Sequence, residues 1–155
     1  MQGYANREDL TRDSIHEGWY ITGDIAHIDQ EGFIHITGRL SRFSKIGGEM
    51  VPHVRVEEEL GQALREGEDD EQVRLCVTAV PDAKKGERLI VLHLKTEKDI
   101  TEIRKVLSGA GLPNLFIPSQ DSFLEIDEIP MLGTGKLDLK GAKQMAADMV
   151  AAGKE

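Results

Sequence analysis

One cysteine, Cys76, in 155 residues removes any intramolecular disulfide, and with no CxxC pair it also removes a thiolate metal cage. A reducing compartment is the default for such a chain. The five histidines, His16, His27, His35, His53 and His93, show neither HExxH nor any paired ligand spacing. No metal site is expected, and the histidines read as hairpin and surface residues. Long apolar runs are missing as well: Leu89-Ile90-Val91-Leu92 falls far short of the roughly 18 residues of a membrane span. Met1 to Leu10 is polar and charged, unlike a secretory leader. No serine sits in GxSxG and Cys76 falls in an expected strand, so nothing supports a nucleophilic hydrolase. No internal repeat or low-complexity tract occurs.

What is present is an ordinary globular balance, 39% hydrophobic and 30% charged. A chain of this length buries about two-thirds of its unfolded surface. Nineteen basic against twenty-eight acidic residues give a net charge of −9. That balance argues against nucleic acid as a partner, because a phosphate backbone would be repelled over most of the surface. The charges are uneven. Between Ile34 and Arg55 stand Arg39, Arg42, Lys45 and Arg55 against Glu49 alone, while Glu66 to Glu71 is an acidic run. The basic segment fits solvated hairpin charge or a site for an anionic ligand, and composition leaves both open.

Along the chain, the first eighteen residues read as a loop with a turn of helix around Arg7 to Asp13. Gly18 to Ile28 and Phe33 to Thr37 are β-rich runs around Asp29-Gln30-Glu31-Gly32, which predicts a hairpin. A break follows at Gly38 to Arg42. Phe43 to Ile46 and Glu49 to Val51 then flank Gly47-Gly48, a pair able to take positive φ in a tight reversal. Pro52 suits a first helical turn, and Val56, Leu60 and Leu64 give that helix an apolar stripe ending near Gly67. Val73 to Val80 and Glu87 to Lys95 predict two strands of a covered sheet, joined by a loop. Asp99 and Glu102 form a capping pair for a helix carrying Ile100, Ile103, Val106 and Leu107. Asp121 to Ile126 is a candidate strand, and Leu139 to Val150 a last amphipathic helix.

The expectation is an α+β domain beginning near Arg42, a small sheet with helices packed on it. The preceding β-hairpin segment is too small to bury a core alone, so it should pack on something absent from the chain or lie mobile.

Two motifs deserve weighing by their local chemistry. Gly133-Thr134-Gly135-Lys136 is not a Walker loop, since Pro130-Met131 stands where the upstream glycine belongs and Leu137 where Ser or Thr belongs. A plain turn is the simplest reading; a glycine-flanked lysine that reaches into a phosphate-bearing site is the sharper one. Thr22-Gly23-Asp24 ends a strand-like run, where a carboxylate either accepts local backbone bonds or grips a diol such as a ribose.

Taken in order, these pieces resemble a known family. The run GWYITGDIAHIDQEGFIHITGRLSRFSKIGGEMV, with Pro130-Met131-Leu132-Gly133-Thr134-Gly135-Lys136 some eighty residues later, resembles the C-terminal part of the adenylate-forming ligases. That superfamily holds acyl- and aryl-CoA synthetases, peptide-synthetase adenylation domains and luciferases. Within it, Arg42 to Val51 and Pro130 to Lys136 look most like the acyl-acyl-carrier-protein synthetase half of bacterial bifunctional lysophospholipid acyltransferases. Met1-Gln2-Gly3-Tyr4 resembles the tail of a superfamily motif, as in a fragment starting inside a longer enzyme.

The resemblance implies residues 1–41 as the tail and hinge of a large adenylation domain and 42–155 as its mobile lid. It implies ATP-dependent activation of a fatty acid to an acyl-adenylate, then displacement of AMP by a phosphopantetheine thiol on acyl carrier protein, or on CoA. Lys136 matches the lysine that bridges the carboxylate and the phosphate. Asp24 matches the carboxylate on the ribose hydroxyls, and Arg39 the arginine near ribose and phosphate. Ser41 falls at the hinge position, where the family most often has Asp, sometimes Lys; a hinge needs backbone freedom more than a given side chain. Lys45, Ile46, Gly47, Gly48 and Glu49 resemble the segment lining the pantetheine tunnel, and Arg42 and Arg55 are candidate contacts for an acidic carrier protein. Mg²⁺ would accompany ATP on ligands outside this chain. A cytoplasmic setting is implied, with the parent at the cytoplasmic face of the inner membrane. The competing readings are the lid of an acyl-CoA synthetase or peptide-synthetase adenylation domain, and a non-catalytic carrier-protein-binding module.

Overall fold

The computed structural model describes residues 2–64 and 73–153. The chain divides into two compact units, Met1–Ser41 and Arg42–Glu155. In the first, helix α1 (Glu8–Ser14) leads to the short paired strands β1 (Ile15–His16) and β2 (Trp19–Tyr20), followed by the antiparallel hairpin β3 (Asp24–Ile28) and β4 (Ile34–Arg39). The β-rich run from Gly18 to Ile28 is thus broken at 21–23, because β2 pairs back onto β1 rather than continuing into β3. Conversely, Gly38-Arg39 is no break; both lie in β4, opposite Ile25 and Asp24. The reversal between β3 and β4 is organised by Asp29, whose Oδ1 accepts the Glu31 and Phe33 N–H groups while Oδ2 lies 2.6 Å from His35 Nε2. Those bonds, His35 first, hold the Asp29 carboxyl below its ordinary range. None of the described residues 2–41 is buried.

The second unit carries the core. Strands β5 (Phe43–Ile46) and β6 (Glu49–Pro52) form a hairpin whose two loop residues, Gly47 and Gly48, have φ of +59° and +93°. Two consecutive positive φ values follow the right-handed twist of the flanking strands, and glycine adopts them without a Cβ clash. Pro52 ends β6, so helix α2 starts one residue later than expected, at His53, and runs to Leu64. Its predicted apolar stripe, Val56, Leu60 and Leu64, is buried. The predicted helix end near Gly67 and the acidic run to Glu71 lie outside the described residues.

Strands β7 (Leu75–Asp82) and β8 (Gly86–His93) pair antiparallel along all eight residues, from Leu75↔His93 to Asp82↔Gly86. Asp82 Oδ1 accepts the Lys84 and Lys85 N–H groups, which folds the expected loop into a tight turn; β7 starts at Leu75, two residues later than expected, and runs on to Asp82. Helix α3 (Ile100–Gly109) is capped by Asp99, which accepts the Thr101 N–H at 2.8 Å. The last strand, β9 (Phe123–Glu125), is shorter than predicted, since Gln120–Ser122 forms a 3₁₀ turn. Helix α4 (Leu139–Ala152) closes the fold, its N-cap Asp138 accepting the Gly141 N–H.

The sheet runs β6-β5-β8-β7, with β9 parallel to β8. Period-two alternation sends Leu75, Val77, Leu89 and Val91 to one face, against α2 and α3. Cys76, Val80, Ile90 and Leu92 go to the other, against Ala142 and Ala146 of α4. Both faces are covered, so β8 reads as the unbroken Leu-Ile-Val-Leu run. Full burial of each such side chain contributes about 1.5–3 kcal/mol. The Cys76 thiol is sealed among them, and burial pushes it up to about 12. Among the described residues, no helix is long and apolar enough to cross a membrane.

Two histidines correct the surface expectation: His53 and His93 are buried. His93 is the last residue of β8, its Nδ1 2.9 Å from the Leu94 carbonyl. His53 opens α2 facing β5, its Nε2 2.6 Å from Ser44 Oγ. Burial above all, then the charges of Arg42 and Lys143, lowers its pKa from 6.5 to about 4. The unfolded imidazole therefore takes up a proton at a higher pH than the folded one. Stability is constant in this respect above pH 6.5 and falls as the pH drops from 6.5 towards 4, by up to about 3 kcal/mol in total. Urea unfolding across that range, compared with His53→Gln, should show this loss in the native chain and its absence in the variant.

Candidate functional site

Each unit carries its own set of polar groups. In residues 2–41 the β3–β4 register places Asp24 opposite Arg39. Arg39 Nε lies 2.7 Å from Asp24 Oδ1, and Arg39 Nη1 donates to the Thr22 carbonyl at 3.0 Å. The Leu40 N–H bond to the Gly23 carbonyl, 2.8 Å, closes this end of the hairpin. Asp24 is therefore not a local turn acceptor; a cross-strand guanidinium orients its carboxylate. The Asp24 side chain is 19% exposed and that of Arg39 62%, so a shielded acceptor stands beside a solvent-facing fork of donors. Such a pair offers lone pairs to hydroxyls and N–H groups to anionic oxygens. Sequence reasoning passed over Tyr20, whose phenol lies 3.2 Å from that of Tyr4 and is raised chiefly by that bond.

In residues 42–153 the lysine loop is a closed turn. Met131 and Leu137 bridge, the Leu132 N–H donates to the Lys136 carbonyl at 2.7 Å, and the Gly135 N–H to the Leu132 carbonyl at 2.8 Å. Gly135 has φ of +78°, the left-handed conformation the reversal needs. The Asp138 N–H bonds the Pro130 carbonyl, fastening the base of the loop to the cap of α4. Lys136 thus has a fixed backbone and an exposed side chain, and its ammonium bonds none of the described residues.

The Lys45–Glu49 hairpin end is held from below. Ile46 is buried in the core, while Lys45, Gly47, Gly48 and Glu49 are exposed. The Gly47 N–H donates to the Lys85 carbonyl at 2.8 Å, and the Lys45 N–H to Glu87 Oε2 at 2.8 Å. Beside it lies a cavity of about 220 Å³ lined by Ile46, Lys85, Arg88, Arg104, Ser119 and Ser122 among others. Arg88 pairs with Asp121 at 2.6 Å and Arg104 Nε donates to the Pro118 carbonyl, so two guanidinium groups are held at its wall. Nothing in the basic segment 34–55 pointed to these cations, which come from β8 and α3.

Ser41 is exposed within the 3₁₀ turn Leu40–Arg42, and the boundary between the units follows it. Arg42 departs from the expected surface position. Its Nη2 bonds Glu57 Oε2, the two side chains are 15% and 17% exposed, and Glu57 Oε1 accepts the Val77 N–H at 2.7 Å. Helix α2 thereby ties the first residue of the unit to the outer edge of β7. Arg55 stays half exposed, 3.2 Å from Glu59 one helical turn on. Among the described residues no group of three or more His, Cys, Asp or Glu side chains is placed to hold a metal ion.

No protein-family model matches the chain. It is 31% identical over 147 residues to a 2-succinylbenzoate–CoA ligase of Bacillus cereus, covering 95% of this chain and 29% of that protein. It is also 31% identical over 138 residues to the long-chain-fatty-acid–CoA ligase FadD13 of Mycobacterium tuberculosis, 88% of this chain and 26% of the relative. Among solved structures, the o-succinylbenzoate CoA synthetase MenE of Bacillus subtilis, in complex with its acyl-adenylate intermediate, superposes with a TM-score of 0.69 at 26% identity, over 92% of this chain and 28% of that one. ATP-bound MatB of Rhodopseudomonas palustris shares the fold, with a TM-score of 0.70 at 23% identity over 96% of this chain and 28% of its own. The chain thus spans under a third of the length of the relatives it matches.

The Arg42–Glu57 pair carries a test of its own. Glu57→Ala leaves a shielded guanidinium uncompensated and an edge N–H without its acceptor, and should destabilise the chain by about 3 kcal/mol in urea unfolding. Arg55→Ala, which removes one solvent-exposed partner, should cost about 0.5 kcal/mol or less.

Proposed function

The chain corresponds to the C-terminal region of the AMP-binding, adenylate-forming ligases of the acyl-CoA synthetase family, and from that premise we propose that it acts as the mobile lid of an ATP-dependent acid–thiol ligase. The observation that carries this reading is the 31% identity to a CoA ligase along 95% of the chain. The substrates would be a carboxylic acid, a fatty acid in the reading from the motifs, together with ATP and a phosphopantetheine thiol. Residues 1–41 would complete a larger N-terminal adenylation domain, and residues 42–155 would rotate about Ser41 between the two half-reactions.

In the first half-reaction the acid's carboxylate attacks the α-phosphorus and pyrophosphate leaves, giving an acyl-adenylate. Negative charge builds on the oxygens between the two reactants. The Lys136 ammonium, free of partners among the described residues and carried on a rigid turn, stabilises that charge as a point cation. Asp24 accepts from the ribose hydroxyls, with Arg39 beside it holding the carboxylate and facing anionic oxygens. In the second half-reaction the thiol attacks the acyl carbon and AMP departs. The exposed Gly47-Gly48 turn lets an extended thiol arm pass close to backbone, and the cation-lined cavity next to it supplies counter-charge to the arm's phosphate. Mg²⁺ would travel with ATP on groups outside this chain.

The names of the relatives favour CoA as the thiol carrier. The motif Arg42 to Val51 favours acyl carrier protein, in a cytoplasmic parent at the inner membrane that also reacylates lysophospholipids. With Arg42 engaged by Glu57, Lys45 and Arg55 remain of the three candidate cations for an acidic carrier protein.

Carboxylate-dependent ATP–pyrophosphate exchange by the full-length parent tests the reading. Wild type should exchange with fatty acids of some length, and Lys136→Ala should lose at least about 100-fold while still transferring acyl groups from supplied acyl-adenylate. Transfer assayed in parallel with CoA and with phosphopantetheinylated acyl carrier protein names the acceptor. No exchange by folded wild type with any carboxylate would leave the non-catalytic carrier-protein-binding module as the better reading.

A further inference from the structure

Strand β5 meets β8 through one residue pair, Ile46↔Gly86. A single bridge does not fix the attitude of a four-residue strand and the turn beyond it. Two further bonds do so: the Gly47 N–H to the Lys85 carbonyl on one side and the Lys45 N–H to Glu87 Oε2 on the other, both 2.8 Å. Residues 85, 86 and 87 therefore grip residues 47, 46 and 45 in turn. Two of these contacts are made by backbone, which the fold supplies whatever the side chain. The third depends on one carboxylate, 42 residues away in sequence.

Glu87 reaches further than the hairpin. Its Oε1 lies 3.9 Å from Lys143 Nζ on α4, and α4 is capped by Asp138, the residue whose N–H closes the Lys136 loop on Pro130. Lys143 in turn lies close enough to His53 to lower its pKa. A partly shielded carboxylate is thus placed between the hairpin of the thiol step and the helix behind the lysine of the adenylation step. A charged acceptor makes a stronger bond to a backbone N–H than a neutral one.

We propose that Glu87 is a positioning residue for thiol transfer, holding the Lys45–Glu49 turn where the thiol arm must pass. The assignment rests on the reading of that turn given under Proposed function. Misplacing a positioning element by about 1 Å is enough to slow a step up to about 100-fold.

The test compares Glu87→Ala with Glu87→Gln, which keeps a carbonyl acceptor for the Lys45 N–H. In the 155-residue chain, amide hydrogen exchange at Lys45 and Gly47 should quicken at least about tenfold in the Ala variant and stay near wild type in the Gln variant, with β7 and β8 unchanged. In the full-length parent, single-turnover transfer from acyl-adenylate to the thiol should fall at least about tenfold with Ala and recover with Gln, while ATP–pyrophosphate exchange stays within about twofold. Unchanged protection at Lys45 and Gly47 overturns the clamp. Faster amide exchange with undiminished transfer, or an equal fall in both half-reactions, overturns the role in the thiol step. A wild-type parent that exchanges with no carboxylate overturns the ligase reading and with it the thiol-step role; amide exchange then still decides whether Glu87 holds the turn.

Discussion

Strand β8 has to satisfy two edges at once, and most of the second unit follows from how it does so. One edge is taken along eight residues by β7. The other is shared, antiparallel β5 at Gly86 and parallel β9 from Val91 to His93. A strand bonded on both edges is central, and a central strand in a small domain needs cover on both faces. That cover is α2 and α3 on one side and α4 on the other, with Leu89 and Val91 answering the first and Ile90 and Leu92 the second. Where β5 and β9 leave part of the shared edge open, side chains take over: Glu87 for the Lys45 N–H, and Arg88 with Asp121 near β9. The hairpin that carries Gly47 and Gly48 is placed by this arrangement, as is the cavity beside it.

The outer edge of β7 faces the opposite problem, a row of donors and acceptors that no strand among the described residues meets. Glu57 answers part of it by accepting the Val77 N–H, and the charge this brings inside is balanced by Arg42. The same Arg42 retains a shielded Nη1 without a bond partner among the described residues. An ion pair shielded this far adds little net stability but is costly to break. Its effect is geometric: the residue that follows Ser41 is tied through Glu57 to helix α2 and the edge of β7.

Features governed by one stretch of chain were legible in the sequence. The stripe Val56, Leu60, Leu64, the cap Asp99, the glycine reversal at 47–48 and the two covered strands β7 and β8 each depend on local spacing or apolar density, and each stands as expected. The motifs led to the ligase resemblance through residue order. What sequence reasoning misplaced depends on a second segment. Nothing near Arg42 announces that Glu57 lies against it, and nothing near Asp24 fixes Arg39 as its partner until the β3–β4 register is known. His53, with no ligand spacing to any other histidine, reads as a hairpin or surface residue, yet the hairpin brings Ser44 over it. Glu87 carried no signal, since one glutamate at a strand start has no pattern of its own.

The contrast between Lys136 and the arginines bears on how, in the proposed function, one domain would serve two chemical steps. Arg39, Arg42, Arg55 and Arg88 are each held by a carboxylate in this structure, which fixes where their charge sits. Lys136 has a fixed backbone and no carboxylate partner among the described residues. A cation already paired has part of its charge neutralised, so meeting a further anion returns less net energy. An exposed, unpaired ammonium gives up only water, and a flexible four-carbon stem lets it find the anion as the surrounding protein moves. If the lid presents Lys136 in one step and withdraws it in the next, no ion pair within the described residues has to break on either journey. In that reading the domain would be left free to be positioned by its substrates, while Asp24 with Arg39 and the clamped hairpin are the groups the fold has tied down.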